Sequence, residues 1–263
     1  MSPQTRIGTA RSALTGVTIR AGGGCLSSIG LGNSRRVETV EYASGRMADL
    51  YGHAPRRAVL MWHGAQTDAR ATMRPLAERV TGHGFGVVVP DWDSHADDRG
   101  REDLLRSVEF ARGRCTDPDE LVLVGWSLGG VAAAGVTVHA ERFGVRFSHT
   151  VCLAGAFVVR DPISGEELPA DLTGFRVRSP LTLLHGVADD VVAIAVSQAF
   201  ATTLRHAGWP VEVIELATDH GAIAGASYDP VNDRYFAADD PRTMATAADV
   251  ATRIAAAASN SDA

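Results

Sequence analysis

The sequence predicts an α/β architecture: an open, mostly parallel sheet begun by an antiparallel N-terminal hairpin, with helices on both faces and a minimal cap. Three observations carry this. Six short runs, at 58–62, 86–89, 121–124, 149–153, 181–184 and 211–216, are predominantly apolar, as strands buried on both faces of a parallel sheet are. Longer stretches of helical periodicity separate them, and strand–helix alternation over this length builds a doubly wound or barrel fold. Two further segments, 37–42 and 46–51, flank Ser44-Gly45. They read as a hairpin, and an antiparallel start favours an open mixed sheet over a closed barrel.

Taken in order, residues 1–34 are rich in Gly, Ser and Thr with weak periodicity and read as a flexible arm. Residues 35–258 read as one domain, and 259–263 as a frayed tail. Helical patterns at 68–80, 101–112, 128–143 and 196–207 are followed by Gly82, Gly113, Gly144 and Gly208, where a helix end accepts a left-handed residue. Asp240-Pro241 opens the last helix with a capping side chain and a proline in the first turn.

Composition narrows the function. The 263 residues are 45% hydrophobic and 21% charged, an ordinary globular balance. A net charge of −6 with no basic stripe argues against nucleic acid as a partner. No run of 18 apolar residues exists, which argues against a membrane span. All 25 basic residues are arginine, so lysine Schiff-base chemistry and the phosphate-loop lysine are excluded. Cys25, Cys115 and Cys152 are odd in number and lack metal-ligand spacing. With no signal-peptide pattern, a reducing, cytoplasmic location is expected. The scattered histidines predict no metal site. Gly22-Gly23-Gly24 lacks the spacing of a dinucleotide site, so no cofactor is expected. Oligomeric state is left open.

The strongest local signal is Gly125-Trp126-Ser127-Leu128-Gly129. It follows a buried strand and precedes an Ala/Val-rich helix, and that placement matters more than the pattern. A sharp strand–turn–helix junction lifts a serine hydroxyl to the C-terminal edge of the sheet. A serine hydroxyl is a weak nucleophile and needs a base. Of the histidines after Ser127, His220 lies in a loop just past the 211–216 strand, where open α/β sheets gather their ligand sites. Asp189 and Asp190 end the preceding strand segment. Asp189 is the preferred acid to orient the imidazole, and the other aspartate would cap the following helix. His185 and His63 read as structural. The oxyanion donors are the N–H of Leu128 and of Ala65, with Gln66 second, in the loop His63-Gly64-Ala65-Gln66. Gln66, Trp92 and Trp126 are the candidate substrate-binding residues. Tyr228–Phe236 is a candidate further wall, and Asp93 or His95 could reach substrate.

The order Ser127, Asp189, His220, with His63-Gly64 upstream, resembles the α/β-hydrolase superfamily over about 37–258. His185-Gly186 through Val192 and Asp219-His220-Gly221 resemble small bacterial serine esterases and the dienelactone-hydrolase-like group. The chain departs from dienelactone hydrolases, which carry cysteine at the position of Ser127. It departs from hormone-sensitive-lipase-like esterases, which carry several glycines after the histidine. The resemblance implies an α/β-hydrolase fold and cleavage of a small-molecule carboxylic ester through an acyl-enzyme on Ser127, with small or short acyl groups. The segment 158–179 is long enough for a short helix but not for a large lid. Thioester, lactone, amide or aryl-formamide hydrolysis is the runner-up, and a silent ligand-binding module the alternative from another class.

Overall fold

The computed structural model describes residues 37–52 and 58–259. The arm expected at 1–34 and all but the first residue of the tail expected at 259–263 lie outside the described residues, as does Cys25. The first strands are β1 (Val37–Ala43), β2 (Arg46–Tyr51), β3 (Ala58–Trp62) and β4 (Gly86–Pro90). They are followed by β5 (Val122–Trp126), β6 (His149–Leu153), β7 (Leu181–Gly186) and β8 (Val211–Leu216). These eight form one sheet in the order β1-β2-β4-β3-β5-β6-β7-β8. β1 and β2 are antiparallel to their neighbours and the other pairs are parallel. Strands β3 to β7 are buried at every position, which is why they read as apolar runs without alternation.

The helices are α1 (Arg74–Gly82), α2 (Arg101–Arg112), α3 (Leu128–Val138), α4 (Ala140–Phe143), α5 (Ile194–His206) and α6 (Pro241–Ser259). One core layer packs α2, α3 and α5 on the sheet through Leu104, Ala132 and Phe200. The opposite layer packs α1 and α6 through Leu76, Val80, Val250 and Ile254. Asp240 caps α6 by accepting from the N–H of Arg242 and Thr243 at 3.1 and 2.9 Å. No helix among the described residues is long and apolar enough to cross a membrane.

Several local expectations need correction. The stretch at 68–80 is a 3₁₀ turn (Arg70–Met73) before α1. Pro75, in the first turn of α1, has no N–H to carry a helix through from upstream. The stretch at 128–143 breaks at His139 into α3 and α4. Gly144 and Gly208 take positive φ as expected, but Gly82 and Gly113 do not, and Gly84 turns the chain after α1 instead. Asp190 caps nothing: α5 begins behind Ala193 with no side-chain cap. Residues 158–179 hold no helix or strand.

A second, two-stranded sheet lies beyond the strands that the sequence predicts. β9 (Ala226–Asp229) and β10 (Arg234–Ala237) pair antiparallel, with Tyr228 opposite Tyr235. Side chains alternate along a strand, so both tyrosines share one face, and that face meets the C-terminal edge of the main sheet.

Candidate active site

The chain crosses from β3 outward to β4, then returns to β5 on the other side of β3. A crevice opens at such a reversal, beyond the carboxyl ends of the strands. The loop after β3 and the turn after β5 meet there. Gly64 lies so close that a Cβ would stand 3.2 Å from the Ser127 Cβ. A Cβ on Gly129 would run into the His63 carbonyl oxygen, and one on Gly125 into the Gly129 carbonyl oxygen. Glycine is therefore required on both sides of Ser127.

Ser127 sits at φ 55, ψ −116, a region costing a non-glycine residue roughly 1–3 kcal/mol. The turn is held open by hydrogen bonds. Ser127 N–H donates to Leu153 O at 2.9 Å, and Ser127 O accepts from the N–H of Gly130, Val131 and Ala156 at 2.9, 3.2 and 3.2 Å. The side chain makes no cap, which leaves Oγ for the His220 contact.

The loops after β7 and β8 are tied together. Val187 N–H donates to Leu216 O at 2.8 Å, and Ala188 N–H to Thr218 O at 3.1 Å. Asp219 Oδ1 accepts from the N–H of Gly221 and Ala222 at 3.0 and 2.8 Å, which turns the backbone and aims His220. The result is a series. His220 Nε2 is 3.1 Å from Ser127 Oγ, and His220 Nδ1 is 2.8 Å from Asp189 Oδ2. Asp189 accepts at Oδ2, so Nδ1 carries the proton and Nε2 is left to accept from the Ser127 hydroxyl.

The Asp189 side chain is inaccessible to solvent. Its burial pushes the carboxyl up, but hydrogen bonds from His185, His220 and the Val192 N–H, with the electrostatic pull of the His220 ring, outweigh it and hold the group well below the usual carboxylate range. Asp189 is ionised beside His220, as an orienting acid requires. Trp126 braces the imidazole: its Nε1–H donates to His220 O at 2.8 Å, and the ring centroids are 5.5 Å apart.

Ser127 opens into a cleft of about 490 Å³, with Ala65, His95, Val191, His220, Tyr228 and Tyr235 among its walls. Among the described residues, nothing accepts from the N–H of Ala65 or Leu128. Gln66 N–H, the second choice for an oxyanion donor, is taken by Gly64 O at 2.8 Å.

The candidate substrate contacts fare unequally. Trp92 is fully buried and stacks on His63 with centroids 5.1 Å apart. It packs under the loop and is no wall of the cleft. Trp126 is 1% exposed and forms the cleft floor. Gln66 borders the cleft, but both ends of its amide bond the Tyr235 backbone. His95 borders the cleft, while the Asp93 carboxylate is used by Thr67 Oγ1 and His95 N–H. Residues 228–236 supply the wall that the sequence suggested, as the β9–β10 hairpin. Tyr235 stands edge-on to Trp126 at 5.0 Å, and 5.1 Å from Tyr228. Burial and the charges of Asp189, Asp190 and Asp219 push the Tyr235 phenol up to about 12, so it is neutral at ordinary pH. No cluster of three or more metal-ligating side chains occurs among the described residues.

A hydroxyl, an imidazole and a carboxylate thus stand in series on a strained strand–helix turn, beside the reversal point of an open doubly wound sheet. The model of the Alpha/beta hydrolase family matches residues 59–262, and the chain belongs to that family. A search of curated proteins finds no match. Solved structures repeat the fold at low identity. The esterase EstE5, soaked with p-nitrophenyl butyrate, is 16% identical over 85% of each chain, with a TM-score of 0.63. Esterase 2 of Thermogutta terrifontis, phosphoramylated by tabun, is 18% identical over 84% of this chain and 94% of that one, with a TM-score of 0.62. An esterase of Pyrobaculum calidifontis is 15% identical over 85% of this chain and 86% of its own, with a TM-score of 0.61.

Proposed function

We propose that the protein is a serine carboxylesterase acting on small or short-chain acyl esters. The reading rests on one observation: Ser127 Oγ, His220 and Asp189 stand in series at 3.1 and 2.8 Å at the mouth of the cleft. The esterases among its structural relatives point the same way.

Ser127 Oγ attacks the ester carbonyl carbon while its proton passes to His220 Nε2. The carbonyl oxygen takes the electron pair, and the N–H groups of Ala65 and Leu128 hold the oxyanion. Asp189 keeps the imidazole in the Nδ1–H form and stabilises its cation. Collapse of the intermediate expels the alcohol, which takes the proton back from His220. Water then enters, gives a proton to His220 and attacks the acyl carbon; the bond to Ser127 Oγ breaks, Oγ takes the proton back from His220, and the acid is released. The bounded cleft of about 490 Å³ and the lack of a helical cap over 158–179 favour short acyl groups with open access.

The test is hydrolysis of p-nitrophenyl acetate and butyrate by the wild type and Ser127→Ala, with fluorophosphonate labelling read by intact mass. An adduct on the wild type alone, with activity falling by roughly 10³-fold or more in the variant, supports the reading. Unchanged activity in Ser127→Ala overturns it.

A further inference from the structure

His185 is a fully buried imidazole that takes no part in the steps above, yet it touches the acid of the series. Its Nε2 is 2.8 Å from Val192 O and 3.3 Å from Asp189 Oδ2, and its Nδ1 is 2.7 Å from Ser197 Oγ. The surroundings decide the tautomer. Both neighbours of Nε2 are acceptors, so Nε2 carries the proton and shares it between them. Nδ1 is then the acceptor, and the Ser197 hydroxyl donates to it from the first turns of α5. The reverse tautomer would set a nitrogen lone pair against a carbonyl and a carboxylate at once.

The Asp189 carboxylate is consequently held at three points before His220 arrives. Oδ1 takes the N–H of Val191 and Val192 at 2.9 and 2.8 Å, and Oδ2 takes His185. The two backbone bonds alone leave the carboxylate able to swing about Oδ1. The His185 Nε2–H, shared with Val192 O and 3.3 Å from Oδ2, opposes that swing and leaves a free direction on Oδ2 for His220. We propose that His185 is a positioning residue for the reaction, fixing the Asp189 oxygen that faces His220, with Ser197 setting its tautomer. This rests on the Ser127–His220–Asp189 reading, and it extends that series inward to five side chains.

Two variants separate this role from mere packing. In a buried imidazole's place, glutamine can put an N–H near the position of Nε2, whereas asparagine reaches only the position of Nδ1. His185→Asn is expected to lower kcat on p-nitrophenyl acetate about tenfold with KM little changed, the loss of one charge-assisted hydrogen bond. His185→Gln is expected to stay within about threefold of the wild type. Proton NMR of the full chain gives a readout independent of turnover. The downfield resonance of the His220 Nδ1–H is expected to move upfield in His185→Asn, as its bond to Asp189 lengthens, and to hold its place in His185→Gln. Ser197→Ala, a milder change, is expected to move it the same way and serves if His185→Asn does not fold. An unmoved resonance in both His185→Asn and Ser197→Ala, or equal losses in the asparagine and glutamine variants, overturns the proposal. Absence of turnover and of a phosphonate adduct in the wild type would overturn the esterase reading instead, and would leave the resonance test standing.

Discussion

Gln66 and Tyr235, 169 residues apart, pair as two adjacent strands would. Gln66 Oε1 accepts from Tyr235 N–H at 2.6 Å, and Gln66 Nε2 donates to Tyr235 O at 3.3 Å. Thr72 Oγ1 donates to the same carbonyl at 3.3 Å. A side-chain amide thus does for the outer edge of β10 what a third strand would do. It ties the loop bearing Ala65 to the hairpin that walls the cleft.

Gln66→Ala leaves the half-buried Tyr235 N–H without its acceptor, and a stability loss of about 1–3 kcal/mol is expected in urea unfolding. Gln66→Glu keeps the acceptor but turns a carboxylate oxygen toward Tyr235 O, so it is expected to be less stable than the wild type. Wild-type stability in both variants would refute the bracing role. Selectivity is a second readout. With the wall loosened, Gln66→Ala is expected to lose less activity on p-nitrophenyl hexanoate than on the acetate.

Trp126 gives a cleaner contrast, because its indole N–H bonds the His220 carbonyl while its ring fills the core. Trp126→Phe keeps most of the ring and removes the bond. A drop of about tenfold in kcat/KM is expected from the loss of one hydrogen bond holding His220. Circular dichroism is expected to be unchanged. Full activity in Trp126→Phe would show that the Asp219 turn alone aims the imidazole.

The strain at Ser127 yields a prediction about stability. At φ 55, ψ −116 a glycine is at ease and an alanine is not. Ser127→Gly and Ser127→Ala both remove the hydroxyl, so both are expected to be inactive. The glycine variant is expected to be more stable by about 1 kcal/mol, since relief of strain exceeds its extra chain entropy. Equal melting temperatures would mean that the turn stores no strain.

The parts of this site that were legible in the sequence are those whose chemistry is local. Gly125, Ser127 and Gly129 announce a tight turn because only glycine clears the facing carbonyls. Strands β3 to β7 announce themselves because apolar runs this short fit little else; β8, whose run the sequence also places inside the sheet, is instead an edge strand with Glu212 and Glu215 exposed and only Leu216 buried. Asp189 and His220 follow from chain order and from lying past strand ends. What escaped depends on contacts made across the chain. Trp92 looked like a wall because it follows a strand end, but the fold turns it under His63. Gln66 reads as a substrate contact, but β10 meets its amide at both ends. The β9–β10 hairpin had a local signal, the turn-rich stretch Asp229-Pro230-Val231-Asn232-Asp233 between two short aromatic segments, but each strand has only four residues. His185 reads as structural, and nothing in His-Gly-x-x-Asp says that the first residue turns back onto the last.

Stability is expected to fall on mild acidification, through groups outside the Ser127–His220–Asp189 series. Burial lowers His63 to about 4 and His149 to about 4. In the unfolded chain each takes up a proton near pH 6.5, so between about 6.5 and 4 the unfolded state binds more protons at both sites, and stability is lost as pH falls. Asp161 opposes this. Burial raises its carboxyl to about 6, with the Ile163 and Ser164 N–H groups pulling the other way. Below that pH the folded state binds the extra proton, and stability is gained. His139, lowered by burial, adds to the loss, and Asp91 and Asp103, raised by burial, oppose it; the two histidines against the one aspartate with large shifts set the balance toward the unfolded state near pH 5. Asp189 lies outside this window: a carboxyl held low in the fold loses its contribution only below the ordinary carboxylate range. Urea midpoints measured from neutrality to about pH 5 are therefore expected to fall. Asp161→Asn is expected to steepen the fall by removing the opposing group. His149→Gln keeps a partner for Thr182 Oγ1 and is expected to flatten it. A wild-type midpoint that holds or rises toward pH 5 would mean that His63 and His149 are not the neutral, buried groups their surroundings require.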